Sequence, residues 1–264
     1  MMEIVYKEDG RYSEYENLLM ERDRYRKEAE LALRAYIREF GEQITAVFKQ
    51  KIVCIERKKM LSHCMIYFNR GESVDLKKVQ ARIRVEMTEY QEQLNAMIAD
   101  NEACKQFKRI AEADVLRIKQ IYRSIARKLH PDLNPLTEQH EELLELWRRN
   151  ITAYQCNDLA ELEALEVLVE RALEALGQGR TTITLPDIDE KIKKLYVEIE
   201  KIKSTDPYLY NRLLNDSELI KEKKQELDTE LKEYEEYSAQ LDQELKKFIM
   251  EGGTFTWTND QEQN

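Results

Sequence analysis

The residues best placed to do chemistry form a tripeptide, His130-Pro131-Asp132, at the end of a strongly basic segment. Between Val115 and Leu129 the sequence holds no acidic side chain, although the whole chain carries a net charge of −10. The basic residues of this segment are Arg117, Lys119, Arg123, Arg127 and Lys128. An exposed basic surface favours an acidic protein partner, because complementary charge speeds encounter and fixes orientation. The chemistry indicated is therefore recognition of another protein.

The same segment predicts an amphipathic helix that ends at the tripeptide. Its apolar residues return every three or four positions and so share one face: Val115, Ile118, Tyr122, Ile125 and Leu129. Pro131 disfavours helical geometry in the residue before it and has no backbone N–H to donate. We therefore expect the tripeptide to protrude as a stiff, solvent-reachable loop. A carboxylate held on such a loop can accept a bidentate bond from a partner arginine.

Two further helices are predicted after this loop. Asn134-Pro135 is typical of a helix cap followed by proline at the first helical position, and Thr137 is an alternative start. The apolar residues of the next helix would pack on the basic helix: Leu143, Leu144, Trp147, Ile151 and Tyr154. Asp158 and Glu161 have the spacing of a capping box and predict another helix through Leu162, Leu165 and Leu168.

This region, about residues 112–170, resembles the J-domain, the module by which DnaJ-like co-chaperones engage a heat-shock ATPase chaperone. The residues that match the family are Tyr122, Arg123, Ala126, Lys128, His130, Pro131, Asp132, Asn134, Ala153 and Tyr154, with Trp147 where the family usually has phenylalanine. The resemblance implies that the tripeptide and the basic helix dock on a DnaK-type chaperone and stimulate its ATP hydrolysis. It implies the following partner-binding residues: His130, Pro131, Asp132, Arg123, Arg127, Lys128, Lys119 and Asn134.

The sequence also departs from the J-domain pattern. The family's first helix has no counterpart, and residues 101–110 could substitute for it only as the end of a preceding long helix. No Gly/Phe-rich stretch and no cysteine-rich zinc module follows the region. Asn150 stands at a position where the family is normally apolar. These differences leave client binding undefined.

The chain before this region predicts a long helical hairpin over residues 1–109. Apolar residues repeat at helical spacing from about Ser13 to Phe68, and Gly41 could introduce a local kink. A turn follows at residues 69–73, and Asp75 is a plausible cap for a second helix. Two long amphipathic helices joined by a short loop form an antiparallel hairpin most simply.

The chain after the J-like region, assigned to residues 110–176, predicts heptad helices. Residues 177–186 read as a linker, and residues 251–264 as a flexible tail. Between them, over residues 187–250, apolar residues recur in steps of four and three, with Lys224 and Ser238 as polar interruptions of the second seam. The pattern fits a second hairpin, and it equally fits a coiled coil between chains that would make a homo-oligomer.

Composition places the whole chain in the all-α class. Charged residues make up 36% of the sequence, and its 264 residues include only 7 Gly and 4 Pro. No apolar run is long enough to cross a bilayer, and the N-terminal residues lack the apolar core of a secretory signal. The four cysteines form no CxxC pair, which favours reduced thiols and a cytoplasmic location.

Catalytic, metal and nucleic-acid functions find little support in the sequence. His63 and Cys64 lack a second ligand pair at zinc spacing, and His140-Glu141-Glu142 is not the HExxH helix of a metalloprotease. We expect no cofactor and no enzymatic activity. An acidic protein whose basic segment has five basic residues and one aromatic residue, Tyr122 on its apolar face, is also a poor nucleic-acid binder.

Two function classes remain open from the sequence. In the first, the chain is a J-domain-like co-chaperone whose coiled-coil arms select an unidentified client or partner. In the second, the heptad helices assemble a scaffold, and the J-like region is only a helical spacer.

Overall fold

The computed structural model describes residues 10–106, 111–176, 187–250 and 255–256. Its elements in chain order are α1 Gly10–Asn69, β1 Val74–Asp75, α2 Leu76–Glu86, α3 Thr88–Gln106, α4 Glu112–Leu129, α5 Leu136–Gln139, α6 Glu141–Cys156, α7 Leu159–Ala175, α8 Ile188–Ser204, α9 Tyr210–Leu214, α10 Ser217–Met250 and β2 Phe255–Thr256. The two short strands pair in parallel. The fold is all-α, as predicted. Within these ranges, no helix is long and apolar enough to cross a membrane.

The chain forms two compact units, each of which draws on separate stretches of sequence. Unit 1 comprises residues 1–33 and 108–211, and unit 2 comprises residues 34–107 and 212–264. The predicted boundaries followed chain order instead, with an N-terminal hairpin, a J-like region and a heptad region. The difference arises because α1 contributes its first part to unit 1 and the remainder to unit 2.

The predicted antiparallel pairing is present in unit 2, where α3 and α2 run back along α1. The side chain of Lys59 donates to Glu86 at 2.6 Å near one end of the pair, and Lys105 pairs with Glu42 near the other. Asp75 caps α2 as predicted by accepting from the backbone N–H of Lys78 at 3.2 Å. The second arm of the hairpin is divided at Met87 into α2 and α3.

Gly41 lies where α3 approaches α1 closely. The helix α1 continues through this glycine, so the residue is not a helix end. A Cβ atom at position 41 would lie 2.0 Å from the side-chain oxygen of Asn101. Asn101 donates from its amide to the carbonyl of Gly41 at 2.9 Å and to the hydroxyl of Thr45 at 2.7 Å. The glycine is therefore explained by this contact.

The helix α10 packs parallel to the second part of α1 and completes unit 2. Lys224 donates to Glu39 at 2.5 Å, and Ser238 accepts from Gln50 at 2.8 Å, so both polar interruptions of the predicted seam have partners on α1. Two of the seam leucines, Leu227 and Leu241, are buried. The seam is therefore covered within the chain.

Unit 1 is built on one hydrophobic core shared by α1, α4, α6, α7 and α8. The first part of α1 contributes buried residues to it: Tyr12, Tyr15, Leu18, Leu19 and Met20. The seam of α8 is buried in the same core through Ile188, Ile192, Leu195 and Ile199. The two heptad helices thus belong to different units, which is neither of the two pairings considered from the sequence.

Candidate partner-binding surface

The helix α4 has the amphipathic pattern predicted for it. Its buried residues are Ile118, Ile121, Tyr122, Ile125, Ala126 and Leu129. The helix ends at Leu129 because His130, the residue before the proline, adopts an extended conformation with φ −61° and ψ 124°. This places the tripeptide directly between α4 and the short helix α5, as the sequence predicts.

Local hydrogen bonds hold the tripeptide turn against the end of α4. The carbonyl of His130 accepts from the backbone N–H groups of Leu133 and Asn134, both at 2.8 Å. The side chain of Asn134 donates to the carbonyl of Lys128 at 2.8 Å and accepts from the N–H of Leu136 at 3.2 Å. Asn134 therefore has a structural role in shaping the turn. A helix does begin beside the predicted start, but this helix, α5, ends at Gln139, and the helix that carries Leu143 and Trp147 is α6, which begins at Glu141.

The expectation that the whole tripeptide protrudes is wrong for His130. This side chain is buried at 5% exposure, and its ring meets that of Trp147 edge-on at a centroid distance of 5.0 Å. Pro131 is half-buried, whereas the side chain of Asp132 is 46% exposed. Partner contact is therefore available to the carboxylate, while the imidazole belongs to the core.

The backbone N–H of Asp132 donates to Nδ1 of His130 at 3.1 Å and so orients the loop. With Nδ1 accepting, the neutral ring carries its hydrogen on Nε2. Nη2 of Arg22 lies 3.4 Å from Nε2 of His130. Because both nitrogen atoms carry hydrogen in this tautomer, this contact is not a hydrogen bond. Burial lowers the pKa of His130 and outweighs the nearby carboxylates of Asp132 and Asp23, which raise it. The ring is therefore neutral at pH 7.

A polar network from α1, which the sequence analysis missed, supports the base of the tripeptide. Asp23 accepts from the hydroxyl of Tyr122 at 2.8 Å and from Nε and Nη2 of Arg22 at 3.0 and 2.9 Å. Burial and the adjacent Asp23 carboxylate raise the pKa of Tyr122. The ring of Tyr122 stacks on that of Tyr154 at 3.9 Å, and Lys27 donates to the carbonyl of Tyr154 at 2.8 Å. No motif in α1 signals these contacts, because the partners are about a hundred residues apart in the sequence.

A cleft of about 280 Å³ opens beside the tripeptide in unit 1. Its lining combines charged side chains of α1, including Arg22 and Arg26, with Asp132 and the rings of Trp147 and Tyr154. Arg26 forms an ion pair with Glu198. The cleft gives a partner side chain access to the Asp132 carboxylate from one side.

The basic residues of α4 divide into two groups according to their ion pairs. Arg117 lies 3.7 Å from both Glu163 and Glu166 of α7, and Lys128 pairs with Glu170 of the same helix. These charges are compensated within the chain, so Lys128 is not the open cation that the sequence analysis expected. Glutamates at a helical spacing on α7 account for this compensation.

The remaining basic residues of α4 are more open to a partner. Nε of Arg127 lies 2.6 Å from Glu16 of α1, but the side chain of Arg127 is 56% exposed. Within the described part of the chain, neither Lys119 nor Arg123 forms an ion pair, and Arg123 is exposed. Asp132, Arg123 and Arg127, with half-buried Lys119, therefore remain as partner-accessible members of the predicted set.

The first part of α1 is the segment that packs beside α4 in unit 1. Residues 101–110 were the sequence's only candidate for the family's first helix. Asn101 lies in α3 of unit 2, and residues 107–110 lie outside the described residues. The buried residues of α1 in unit 1 pack into the same core as α4 and α6. A segment about a hundred residues upstream therefore closes the core beside α4.

Comparisons of the chain with models of protein families, with curated proteins and with solved structures give no match. Function must therefore be inferred from the residues around the tripeptide. Among the residues that the structure describes, no three His, Cys, Asp or Glu side chains come together as a group that could hold a metal ion.

Proposed function

We propose that this chain is a J-domain-like co-chaperone of the cytoplasm that docks on a DnaK-type ATPase chaperone and stimulates its ATP hydrolysis. The observation that carries the proposal is the exposed carboxylate of Asp132 on a hydrogen-bonded turn at the end of the basic helix α4. A carboxylate fixed in this way can form a bidentate pair with an arginine at little further entropic cost. Arg123 and Arg127 would attract the acidic surface around that arginine.

The same geometry distinguishes the roles of the tripeptide residues in this proposal. Asp132 makes the partner contact, because its side chain is the exposed one. His130 orients the loop, because its ring is buried and accepts from the backbone of Asp132. Pro131 ends α4 and stiffens the turn. A partner-binding defect of a His130 variant would therefore be indirect.

Unit 2 would carry the selection of a client or assembly partner. It has apolar side chains open to solvent near the ends of α1 and α10, among them Phe68, at 50% exposure, and Met250, at 87%. The rings of Phe68 and Phe248 meet at 5.4 Å, so the two helix ends are adjacent. Exposed apolar surface of this kind is typical of a protein-binding site. A scaffold that pairs heptad seams between chains gains no support, because these seams are covered by the chain's own core residues.

The test is the single-turnover ATPase rate of the host's DnaK-type chaperone with wild-type protein, Asp132→Asn and Asp189→Asn. The Asp189 side chain is 66% exposed on α8 of unit 1, so its variant makes the same chemical change away from the turn. We expect the wild type and Asp189→Asn to stimulate hydrolysis and Asp132→Asn to lose the stimulation while remaining folded. Stimulation that is undiminished in Asp132→Asn, or absent from the wild type, would refute the proposal.

A further inference from the structure

The surface of α4 that faces α1 forms a groove with an unusual content of arginine. The groove has a volume of about 210 Å³ and is lined by Asn17, Met20, Glu21, Arg24, Arg123 and Arg127. Three guanidinium groups therefore line one concavity, and Glu21 is the one carboxylate in that lining. Two of the arginines come from the predicted basic helix, and the third, Arg24, comes from α1.

The ion pairs within the groove leave many of its donors open. Arg24 reaches Glu21 through Nη2 at 3.1 Å and lies 3.9 Å from Glu28 through Nε. Arg127 reaches Glu16 through Nε. Because a guanidinium carries five N–H donors, each of these ion pairs leaves several donors of its arginine unused.

Arg24 shows in addition a buried donor without a hydrogen-bond acceptor. Its Nε atom is buried and has no hydrogen-bond partner in the described part of the chain, although the side chain as a whole is 35% exposed. The guanidinium lies over the ring of Tyr25, 4.5 Å from its centroid, which limits the orientations that it can take. Because Nε is buried, a carboxylate that enters the groove would meet the terminal N–H groups of Arg24. Arg123, on α4, is exposed and forms no ion pair with any described residue.

We infer that this groove, which we call the arginine groove, binds a carboxylate side chain from an acidic segment of a protein partner. The opposite side of α4 is a poorer site for such a segment, since the glutamates of α7 already pair with Arg117 and Lys128. Planar guanidinium forks match the two oxygens of a carboxylate. The binding surface is thus composite, with Arg24 of α1 acting beside Arg123 and Arg127 of α4. The inference rests on the proposed co-chaperone function for the identity of the partner alone.

The experiment measures fluorescence anisotropy of a labelled peptide of alternating Glu and Ser residues, titrated with the full chain at low salt. A peptide with Gln in place of Glu is the uncharged control. The protein variants are Arg24→Glu, Arg123→Glu and Arg148→Glu. Arg148 is 65% exposed on α6, outside the groove, so its variant changes the net charge by the same amount. Circular dichroism verifies the helix content of each variant, and Arg24→Gln replaces Arg24→Glu if the latter is unfolded.

We expect the acidic peptide to bind and the Gln peptide not to bind. Arg24→Glu and Arg123→Glu should each weaken binding about tenfold or more, as for a close charge pair, whereas Arg148→Glu should change it little. Equal weakening by all three variants would reduce the effect to net charge and overturn the inference, as would an acidic peptide that does not bind the wild type. A phosphoserine version of the peptide that alone binds would also overturn it, since the ligand would then be a phosphate group.

The outcome is separable from that of the ATPase experiment. Stimulation that depends on Asp132, together with no peptide binding, would retain the co-chaperone function and remove the arginine groove. Peptide binding that depends on Arg24 and Arg123, together with no stimulation, would retain the groove and remove the co-chaperone function.

Discussion

Unit 1 and unit 2 differ in how completely their buried polar groups are hydrogen-bonded. In unit 2 the buried polar side chains Asp75, Asn101 and Ser238 each make hydrogen bonds to neighbouring groups. In unit 1 the hydroxyl of Thr137 and both polar atoms of the Asn150 side chain are buried without a hydrogen-bond partner among the residues that the structure describes. Each such atom costs about 1–3 kcal/mol relative to a satisfied one.

Within the described residues, all the buried side-chain polar atoms that lack a hydrogen-bond partner belong to unit 1. Two of these side chains lie in the helices that follow the tripeptide, Thr137 in α5 and Asn150 in α6, and a third, Arg24, lies in α1. Buried polar groups without partners are uncommon in proteins and call for an explanation where they occur. They lie close to the candidate binding surface. This position agrees with a region whose residues serve recognition at some cost in stability. Four substitutions or conditions test this contrast.

The largest effect is expected at Asp23, whose carboxylate accepts three hydrogen bonds beneath the tripeptide. Asp23→Ala leaves the Tyr122 hydroxyl and the Arg22 guanidinium, 13% exposed, without their acceptor. We expect the free energy of unfolding to fall by about 3 kcal/mol in chemical denaturation. Asp189→Ala, on an exposed pair, should cost less than about 0.5 kcal/mol. Equal losses for the two variants would show that the network does not stabilise unit 1.

The next effect is expected in unit 2 at Gly41. Glycine to alanine inside a helix normally stabilises it by about 1 kcal/mol. Here the added Cβ would lie 2.0 Å from the side-chain oxygen of Asn101, so we expect Gly41→Ala to lower the free energy of unfolding by about 2 kcal/mol. The double variant Gly41→Ala with Asn101→Ala should lose less stability than the sum of the two single variants, because the close contact is removed. A stabilising single variant would exclude the close contact between α1 and α3.

A gain in stability is expected at Asn150. Asn150→Leu removes two buried atoms that have no hydrogen-bond partner and should raise the free energy of unfolding by about 1–2 kcal/mol. Asn101→Leu is the matched control in unit 2, and it should be destabilising because Asn101 makes two hydrogen bonds. The contrast between the units fails if the two variants change stability in the same direction.

The smallest effect is the pH dependence caused by His130. Burial lowers its pKa in the folded state below the ordinary value of 6.5, so the unfolded chain binds the proton first as the pH falls. This histidine therefore lowers stability as the pH falls through and below about 6.5, by at most about 1.4 kcal/mol per pH unit. Denaturation of wild type and His130→Gln at about pH 7.5 and about pH 5.5 measures it. If acidification lowers the free energy of unfolding of the wild type no more than that of His130→Gln, the ring is not buried in its neutral form.

Features that depend on neighbouring residues could be predicted from the sequence. The end of α4 at Leu129 follows from Pro131, and the caps at Asp75 and Asp158 follow from their spacing to the first helical turn. The antiparallel pairing of α1 with the next arm follows from two periodic stretches around a short turn. The exposure of Asp132 was likewise expected from the break that proline imposes.

Other features could not be predicted, because they depend on which helix packs against which. The apolar spacing of α8 and α10 specifies a face to be buried in each helix, but it does not specify the partner. Leu168 has the spacing of a core residue and is nevertheless 37% exposed, while Val169 is buried in its place. Asn101 and Arg24 carry no motif at all.

By itself, the sequence determined the helical class, the basic segment, the position of the tripeptide and the break after Leu129. Periodicity, charge and proline geometry act over a few residues and can be read directly. Only the tertiary structure decided that α1 closes the core beside α4, that His130 is buried while Asp132 is exposed, and that α7 compensates some of the basic residues. These outcomes depend on contacts such as that of Tyr122 with Asp23, which lie 99 residues apart and form only when the chain has folded.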